Sequence, residues 1–117
     1  MSPDDPLPHD AARSLLQRHP LHIIFKHSPY CGRSVSAEEQ VQRYLARPGA
    51  VPVATVHVFD QRALSDALET VTGIRHESPQ ALVVRDGTVQ WHASHRRVTD
   101  EALAAAVAEA AQRGIDG

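Results

Sequence analysis

The sequence is poor in three features that mark large classes of protein. Only one of its 117 residues is a cysteine, Cys31, which excludes an intramolecular disulfide framework and fits a reducing compartment. Charges of both signs are mixed along the chain, with a formal net charge of -2 and no basic stripe that could neutralise phosphates. We therefore expect a protein without internal disulfides that does not bind nucleic acid.

Long apolar runs are the third absence. None approaches the roughly 20 residues that a membrane-spanning helix needs, and residues 1–6 lack the basic and apolar regions of a signal peptide. We therefore expect a cytoplasmic protein that does not bind membranes. The length fits one ordinary domain. Residues 1–9, rich in proline and aspartate, are predicted to form a disordered arm, and residues 10–117 a single domain.

The single cysteine has neighbours that favour a reactive thiol. Cys31 lies in the run Phe25-Lys-His-Ser-Pro-Tyr-Cys-Gly-Arg-Ser34, between a strand-like apolar segment and a helical one. A thiolate at the start of a helix is stabilised by unpaired N–H groups and by the positive end of the helix dipole. Three residues later Ser34 can hydrogen-bond a thiolate but cannot resolve a disulfide, so an outside thiol must clear any mixed disulfide at Cys31.

The start of the helix after Cys31 is ambiguous in the sequence. Ser36–Glu39 (Ser-Ala-Glu-Glu) has the form of a capping box, which would begin the helix at its serine and explain its two glutamates as capping residues. The thiol would then lie a full turn outside the helix, and Arg33 would contribute more to its activation. A start near Gly32 would instead bring Cys31 to the helix terminus.

Hydrophobic periodicity and turn residues predict eight elements in the order helix, strand, helix, strand, helix, strand, strand, helix. Asp86-Gly87 is the strongest short-range signal, because this dipeptide favours the tight turn of a β-hairpin. Gly73 is predicted to end the third helix in a left-handed conformation. The predicted strands are 21–25, 51–59, 80–84 and 88–92, and the predicted helix caps are Asp10, Asp60 and Thr99.

This order requires a βαβ crossover followed by a hairpin, in one mixed four-stranded sheet with helices on both faces. The fold class is therefore α/β, and the arrangement is thioredoxin-like. Gly73-Ile-Arg75, Pro79, Asp86-Gly87 and Val89 are similar to the second half of a thioredoxin. The resemblance implies that Pro79 is in cis, faces the active thiol and follows the peptide that receives extended substrates. The sequence alone leaves both isomers of the bond before Pro79 open.

A closer resemblance extends from Leu21 to Ala110. Four segments carry it together: Phe25–Ser28, Cys31-x-x-Ser34, His76–Gln80 and His92–His95. They resemble the monothiol bacilliredoxin-like proteins of the bacillithiol system. The resemblance implies a cytosolic thiol–disulfide oxidoreductase that removes bacillithiol from bacillithiolated cytosolic proteins. Bacillithiol, a low-molecular-weight thiol, is then the co-substrate, and we expect no bound cofactor and no metal site.

The resemblance and the thiol chemistry together assign roles to ten residues. Cys31 is the predicted nucleophile, and Ser34 is predicted to donate a hydrogen bond to its thiolate. His27 and His76 are predicted to handle the proton, because a histidine beside a thiol can stabilise the thiolate or protonate a leaving group. The predicted substrate-binding residues are Tyr30, Arg33, Ser78, Pro79, Ser94 and His95.

Two alternatives to the oxidoreductase stay open. Bacilliredoxin-like proteins often have Pro and Ile between their Cys and Ser, whereas this chain has Gly32 and Arg33. Cys-Gly-Arg-Ser also resembles the Cys-Gly-Phe-Ser of monothiol glutaredoxins, some of which share an iron–sulfur cluster between two chains with glutathione. The other alternative is a non-enzymatic thioredoxin-fold module that binds an extended peptide at the Pro79 loop.

Overall fold

The structure is a computed structural model that describes residues 7–28 and 32–116. The predicted site residues Tyr30 and Cys31, the side chain of Arg33 and most of the predicted arm lie outside the described residues. The helices are α1 (Pro8–Leu16), α2 (Gly32–Leu45), α3 (Arg62–Thr72) and α4 (Asp100–Asp116). The strands are β1 (Leu21–His27), β2 (Val53–His57), β3 (Gln80–Arg85) and β4 (Thr88–Ser94), with a short 3-10 helix at His95–Arg97.

The four strands form one mixed sheet in the order β2-β1-β3-β4. Strand β1 pairs in parallel with β2 and antiparallel with β3, and β3 pairs antiparallel with β4. This is the predicted βαβ crossover followed by a hairpin, so the thioredoxin-like fold class is confirmed. The central position of β1 explains why six of its seven residues are buried.

Side chains on alternate positions of β1 enter two separate cores. Ile23 and Phe25 pack with α2 and α4, whereas Ile24 packs with α1 and α3. The same alternation continues to the carboxyl end of the strand. Lys26 therefore lies on the α3 face and His27 on the α2 face, which sets the layout of the candidate site.

The structure corrects two predicted helix caps. Helix α1 begins at Pro8 with Leu7 as its N-cap, so Asp10 lies in the first turn and does not cap it. Proline suits this first position because its missing N–H would have no partner there. Helix α3 begins at Arg62 with Gln61 as its N-cap, and Asp60 lies outside the helix.

The strand boundaries also differ from the prediction. Strand β1 continues through Lys26 and His27, because both residues pair with neighbouring strands in the middle of the sheet. Strand β2 is shorter than the predicted 51–59 and covers only Val53–His57. The chain turns directly after it, and the N–H of Gln61 donates to the His57 carbonyl at 2.7 Å.

Three turn and cap predictions are confirmed. Asp86 and Gly87 have φ values of 50° and 80°, the two positive values that a type I′ hairpin turn requires. Gly73 ends α3 in the left-handed conformation, with φ of 72°. Thr99 caps α4, because its side-chain oxygen accepts the N–H of Ala102 at 3.1 Å.

The structure decides between the two predicted starts of α2 in favour of the earlier one, near Gly32. The helix begins at Gly32, and the Ser36 hydroxyl donates to the Gly32 carbonyl at 3.4 Å within it. The capping-box interpretation of Ser36–Glu39 is therefore wrong. None of the helices in the described part of the chain combines the length and apolar character needed to cross a membrane.

Candidate functional site

A hydrogen bond joins the end of β1 to the first turn of α2. The backbone N–H of Ser28 donates to the Ser34 hydroxyl oxygen at 3.2 Å, and both serines are buried. The chain between them carries Cys31. Because the Ser34 oxygen accepts this bond, its own O–H remains available as a donor. Its predicted bond to the thiolate stays a prediction, because Cys31 lies outside the described residues.

Pro79 lies in a segment held between the ends of three strands. The Ser78–Pro79 peptide bond is cis, as the resemblance implied. Gln80, the next residue, pairs with Lys26 at the end of β1. The N–H of His95, just after β4, donates to the Pro79 carbonyl at 2.9 Å. The Pro79 segment therefore adjoins the carboxyl end of β1, from which the chain leads to Cys31.

Ser94 and His95 stand at the other border of the Pro79 segment. The Ser94 hydroxyl donates to the Glu77 carboxylate, and this hydrogen bond lowers the pKa of Glu77. His95 has a left-handed backbone with φ of 56°, and its Nδ1 atom is buried with no hydrogen-bond partner among the described residues. The structure thus brings together the predicted substrate-binding residues Ser78, Pro79, Ser94 and His95.

His27 pairs with a carboxylate on the α2 face. Its Nε2 atom lies 3.2 Å from Oε2 of Glu38, while its ring stacks on Phe25 at a centroid distance of 5.4 Å. The His57 ring on β2 approaches it edge-on at 6.0 Å. The His27 side chain is only 6% exposed, and its Nδ1 atom has no hydrogen-bond partner in the part of the chain that the structure describes. This imidazole is therefore held in one orientation with one ring nitrogen uncommitted.

His76 belongs to a different cluster, on the α3 face. Its Nδ1 atom lies 3.3 Å from the Ser65 hydroxyl, and its backbone N–H donates to the Glu69 carboxylate. Burial lowers the pKa of His76, and the positive charge of Lys26 lowers it further. The imidazole of His76 is consequently neutral over most of the physiological pH range.

Lys26 is the only lysine of the chain and is 1% exposed. Burial lowers its pKa, while the carboxylates of Glu69 and Asp66 oppose this shift. A lysine is rarely buried to this extent without charged neighbours. Lys26 therefore contributes a buried positive charge beside His76.

The two predicted proton-handling histidines thus lie on opposite faces of the sheet. Glu38 and Lys26, which the sequence analysis did not assign to the site, accompany them. Glu38 was mistaken for a capping residue because the start of α2 was ambiguous. Side chains two positions apart on a strand point to the same face, so Lys26 shares the buried face of Ile24 on β1. This alternation could have predicted the burial of Lys26 from the sequence.

Comparison with known proteins identifies the family and the fold of the chain. Residues 9–103 match the family described as monothiol bacilliredoxin BrxC. A solved thioredoxin-fold protein, described as a candidate oxidoreductase, is 28% identical with a TM-score of 0.74, over 83% of this chain and 86% of that one.

Two thioredoxins are more distant in sequence and show the fold alone. Oxidized mitochondrial thioredoxin 3 from Saccharomyces cerevisiae is 13% identical with a TM-score of 0.66, over 86% of this chain and 88% of that one. Reduced desulfothioredoxin from Desulfovibrio vulgaris Hildenborough is 22% identical with a TM-score of 0.64, over 83% of this chain and 88% of that one. The fold, the family match and the single cysteine agree on thiol redox chemistry, and the chain belongs to the monothiol bacilliredoxin BrxC family.

Proposed function

We propose that this protein is a monothiol thiol–disulfide oxidoreductase that removes bacillithiol from mixed disulfides on cytoplasmic proteins. The observation that carries the proposal is the position of the only cysteine: Cys31 directly precedes Gly32, the first residue of α2. The unpaired N–H groups of a helix start favour a thiolate. Membership of the bacilliredoxin family supports the choice of bacillithiol, and a lone cysteine fits the reducing cytoplasm.

The reaction exchanges one disulfide bond for another. The Cys31 thiolate attacks the bacillithiol sulfur of the mixed disulfide, and a bond forms between these two sulfurs. The target cysteine leaves as a thiolate and takes up one proton. A second low-molecular-weight thiol then attacks the bacillithiol sulfur held on Cys31. This step frees Cys31 and forms a small-molecule disulfide, and it needs an outside thiol because Ser34 has none.

The side chains around the thiol have distinct parts in this mechanism. His27 stabilises the Cys31 thiolate as an imidazolium or protonates the leaving thiolate, and the carboxylate of Glu38 contacts the Nε2 atom of its ring. The Ser34 O–H is the hydrogen-bond donor to the thiolate. His76, whose pKa is lowered by burial, serves as a neutral proton acceptor on the α3 face.

The target protein binds on the Pro79 side in this proposal. The cis Ser78–Pro79 segment and the neighbouring Ser94 and His95 border the position where an extended chain would lie. Tyr30 and Arg33 flank Cys31 in sequence and complete the proposed substrate-binding set.

The test uses a reporter protein whose single cysteine carries bacillithiol. We expect the wild-type protein, with free bacillithiol as the second thiol, to release the reporter thiol in many turnovers. Cys31→Ser should be inactive. Without the second thiol, mass spectrometry of the wild type should show one bacillithiol added to Cys31. A glutathionylated reporter, run in parallel, tests the identity of the small thiol.

Four outcomes would count against the proposal. A reporter that keeps its bacillithiol would reject the exchange reaction, and faster turnover of the glutathionylated reporter would reject bacillithiol as the preferred thiol. A coloured protein after anaerobic reconstitution with iron and sulfide would favour the iron–sulfur carrier instead. Capture of the reporter by Cys31→Ser, with no turnover by the wild type, would favour the binding module.

A further inference from the structure

A cavity of about 410 Å³ opens on the α3 side of the sheet. Its walls come from the end of β1, the residues after β2, the first half of α3 and the loop before Pro79. Ser28 and Ser78 both line it. Because Ser28 begins the segment that leads to Cys31 and Ser78 precedes Pro79, the cavity adjoins the candidate site.

The cavity wall offers hydrogen-bonding groups that the protein leaves partly unused. The Ser78 hydroxyl oxygen is buried and has no hydrogen-bond partner among residues 7–28 and 32–116, a rare condition for a polar atom. The Ser65 hydroxyl and the His76 ring line the same cavity and contact each other at 3.3 Å. A ligand with hydroxyl or amide groups would satisfy these atoms.

Charges of both signs border the same space. Arg62 and Asp66 both line the cavity from α3, one helical turn apart. The guanidinium Nε and the Asp66 carboxylate are 3.9 Å apart, and their side chains are 82% and 64% exposed. A pair that is this long and this exposed is weak and can be replaced by contacts to a ligand. The cavity can therefore receive one carboxylate and one ammonium group.

We propose that this cavity binds the non-sulfur part of a zwitterionic low-molecular-weight thiol while its sulfur is exchanged at Cys31. Arg62 binds the carboxylate of the thiol compound, Asp66 its ammonium group, and the Ser78 hydroxyl a polar group near the sulfur. The inference rests on the proposed exchange reaction and assigns the small thiol to the α3 side, opposite His27.

The experiment uses small symmetric disulfides, so that no target protein contributes to binding. The Cys31 thiolate attacks one sulfur of the disulfide RSSR, which gives the Cys31–SR mixed disulfide and one RS⁻. The probes are dithiodipropionate with two carboxylates, cystamine with two ammonium groups, neutral hydroxyethyl disulfide and zwitterionic cystine. Mass spectrometry of quenched samples gives the rate of Cys31 modification with each probe.

Charge reversal at Arg62 and charge reversal at Asp66 should shift the preference between the anionic and the cationic probe in opposite directions. For Arg62→Glu at low salt we expect the rate with dithiodipropionate to fall about threefold and the rate with cystamine to rise about threefold. For Asp66→Lys we expect the rate with dithiodipropionate to rise and the rate with cystamine to fall. The rate changes of both variants should be smaller at high salt. Ser78→Ala should slow the reaction with cystine by about threefold. In each variant the rate with the neutral probe is the reference for the two charged probes.

The matched control is Arg113→Glu on α4, across the sheet from α3. Arg113 also forms an exposed i,i+4 pair, with Glu109 at 2.8 Å, and its reversal should leave all four rates unchanged. Equal selectivity in Arg62→Glu and Arg113→Glu would overturn the cavity assignment while the exchange reaction stands.

A second cavity provides a competing location. It has a volume of about 270 Å³ and includes Arg96, after β4. Altered selectivity in Arg96→Glu together with none in Arg62→Glu would overturn the α3 assignment in favour of that cavity. A wild-type protein that reacts with none of the probes would overturn the proposed exchange reaction, and this inference with it.

Discussion

Glu38 gives the buried His27 ring a charged neighbour, although the Glu38 side chain itself is half-exposed. Its Oε2 atom lies 3.2 Å from Nε2 of the ring, and His27 stands four residues before Cys31 in the sequence. The consequence of this contact for the thiol can be measured.

We expect Glu38→Gln to slow alkylation of Cys31 by iodoacetamide at pH 6.5 by about threefold to tenfold, because the amide keeps the size of the side chain but loses its charge. The rate should be followed from pH 5 to pH 9, since a lost carboxylate moves the whole profile and a packing defect does not. Glu39→Gln, the exposed neighbour on α2, is the matched control. Identical profiles for the two variants would remove Glu38 from the mechanism.

Lys26 is a second residue whose environment has a measurable consequence, in this case for the stability of the fold. Burial lowers its pKa in the folded protein, so the unfolded chain binds more protons between that lowered pKa and the ordinary lysine value of 10.5. The free energy of unfolding therefore rises with pH in this window. At neutral pH the buried charge costs stability.

Lys26→Met should accordingly raise the free energy of unfolding at pH 7 by about 1 kcal/mol, because methionine fills a similar volume without a charge. Urea denaturation at pH 7 and pH 10 measures it. The wild type should gain stability between these values by more than the variant does. A variant that is less stable than the wild type at pH 7 would show that the attraction of Asp66 and Glu69 outweighs burial.

Helix α2 is the element that brings the most to the site, since it supplies Ser34 in its first turn and Glu38 in its second. Its other end is anchored through Tyr44, which is 2% exposed and whose hydroxyl oxygen accepts the N–H of Val51 at 2.8 Å. This bond ties the end of α2 to the chain entering β2. The anchor and the site lie at different parts of the same helix.

Tyr44→Phe should lower the free energy of unfolding by about 1 kcal/mol, because the Val51 N–H loses its partner in a partly buried position. The rate of Cys31 alkylation should stay unchanged. Urea denaturation and the alkylation assay on the same preparation check both expectations. A large loss of Cys31 reactivity in this variant would mean that the anchor at the carboxyl end of α2 is needed to position the first turns of the helix.

At this scale the sequence predicted the order and type of all the main elements, because hydrophobic periodicity and the Asp86-Gly87 turn are local signals. The errors lay at element ends. Asp10 and Asp60 are good capping residues by type, yet α1 begins at Pro8, before Asp10, and α3 begins at Arg62, after Gln61 as its N-cap. The start of α2 could be located only in the tertiary structure, because the sequence allowed both a start near Gly32 and a capping box at Ser36–Glu39.

Across the whole molecule, buried histidines make stability depend on pH. His22 is fully buried, with its ring nitrogens 3.1 Å from the carbonyls of His19 and Leu15. Burial lowers the pKa of His22, as it does for His76. A lowered pKa means that the unfolded chain takes up protons first, below about 6.5. Stability is therefore fully present above that pH and is lost as pH falls below it.

We expect the free energy of unfolding to be lower at pH 5.5 than at pH 7.5. His22→Asn should be less stable than the wild type at pH 7.5 but should lose less on acidification, because it has no proton to take up. Urea denaturation at both pH values gives the two differences. His92→Asn, at an exposed position of β4, is the control and should keep the wild-type pH dependence. An equal loss in all three proteins would assign the acid sensitivity to other groups.

From the sequence alone we could predict a single thiol, a serine in the place of a resolving cysteine, the α/β element order and the hairpin. These follow from composition and short-range patterns, in which each residue acts through near neighbours. The tertiary structure alone decided the pairing of His27 with Glu38, the burial of Lys26 and the cavity beside Arg62. Each depends on side chains from separate elements meeting across the sheet, and local patterns do not specify which faces will meet.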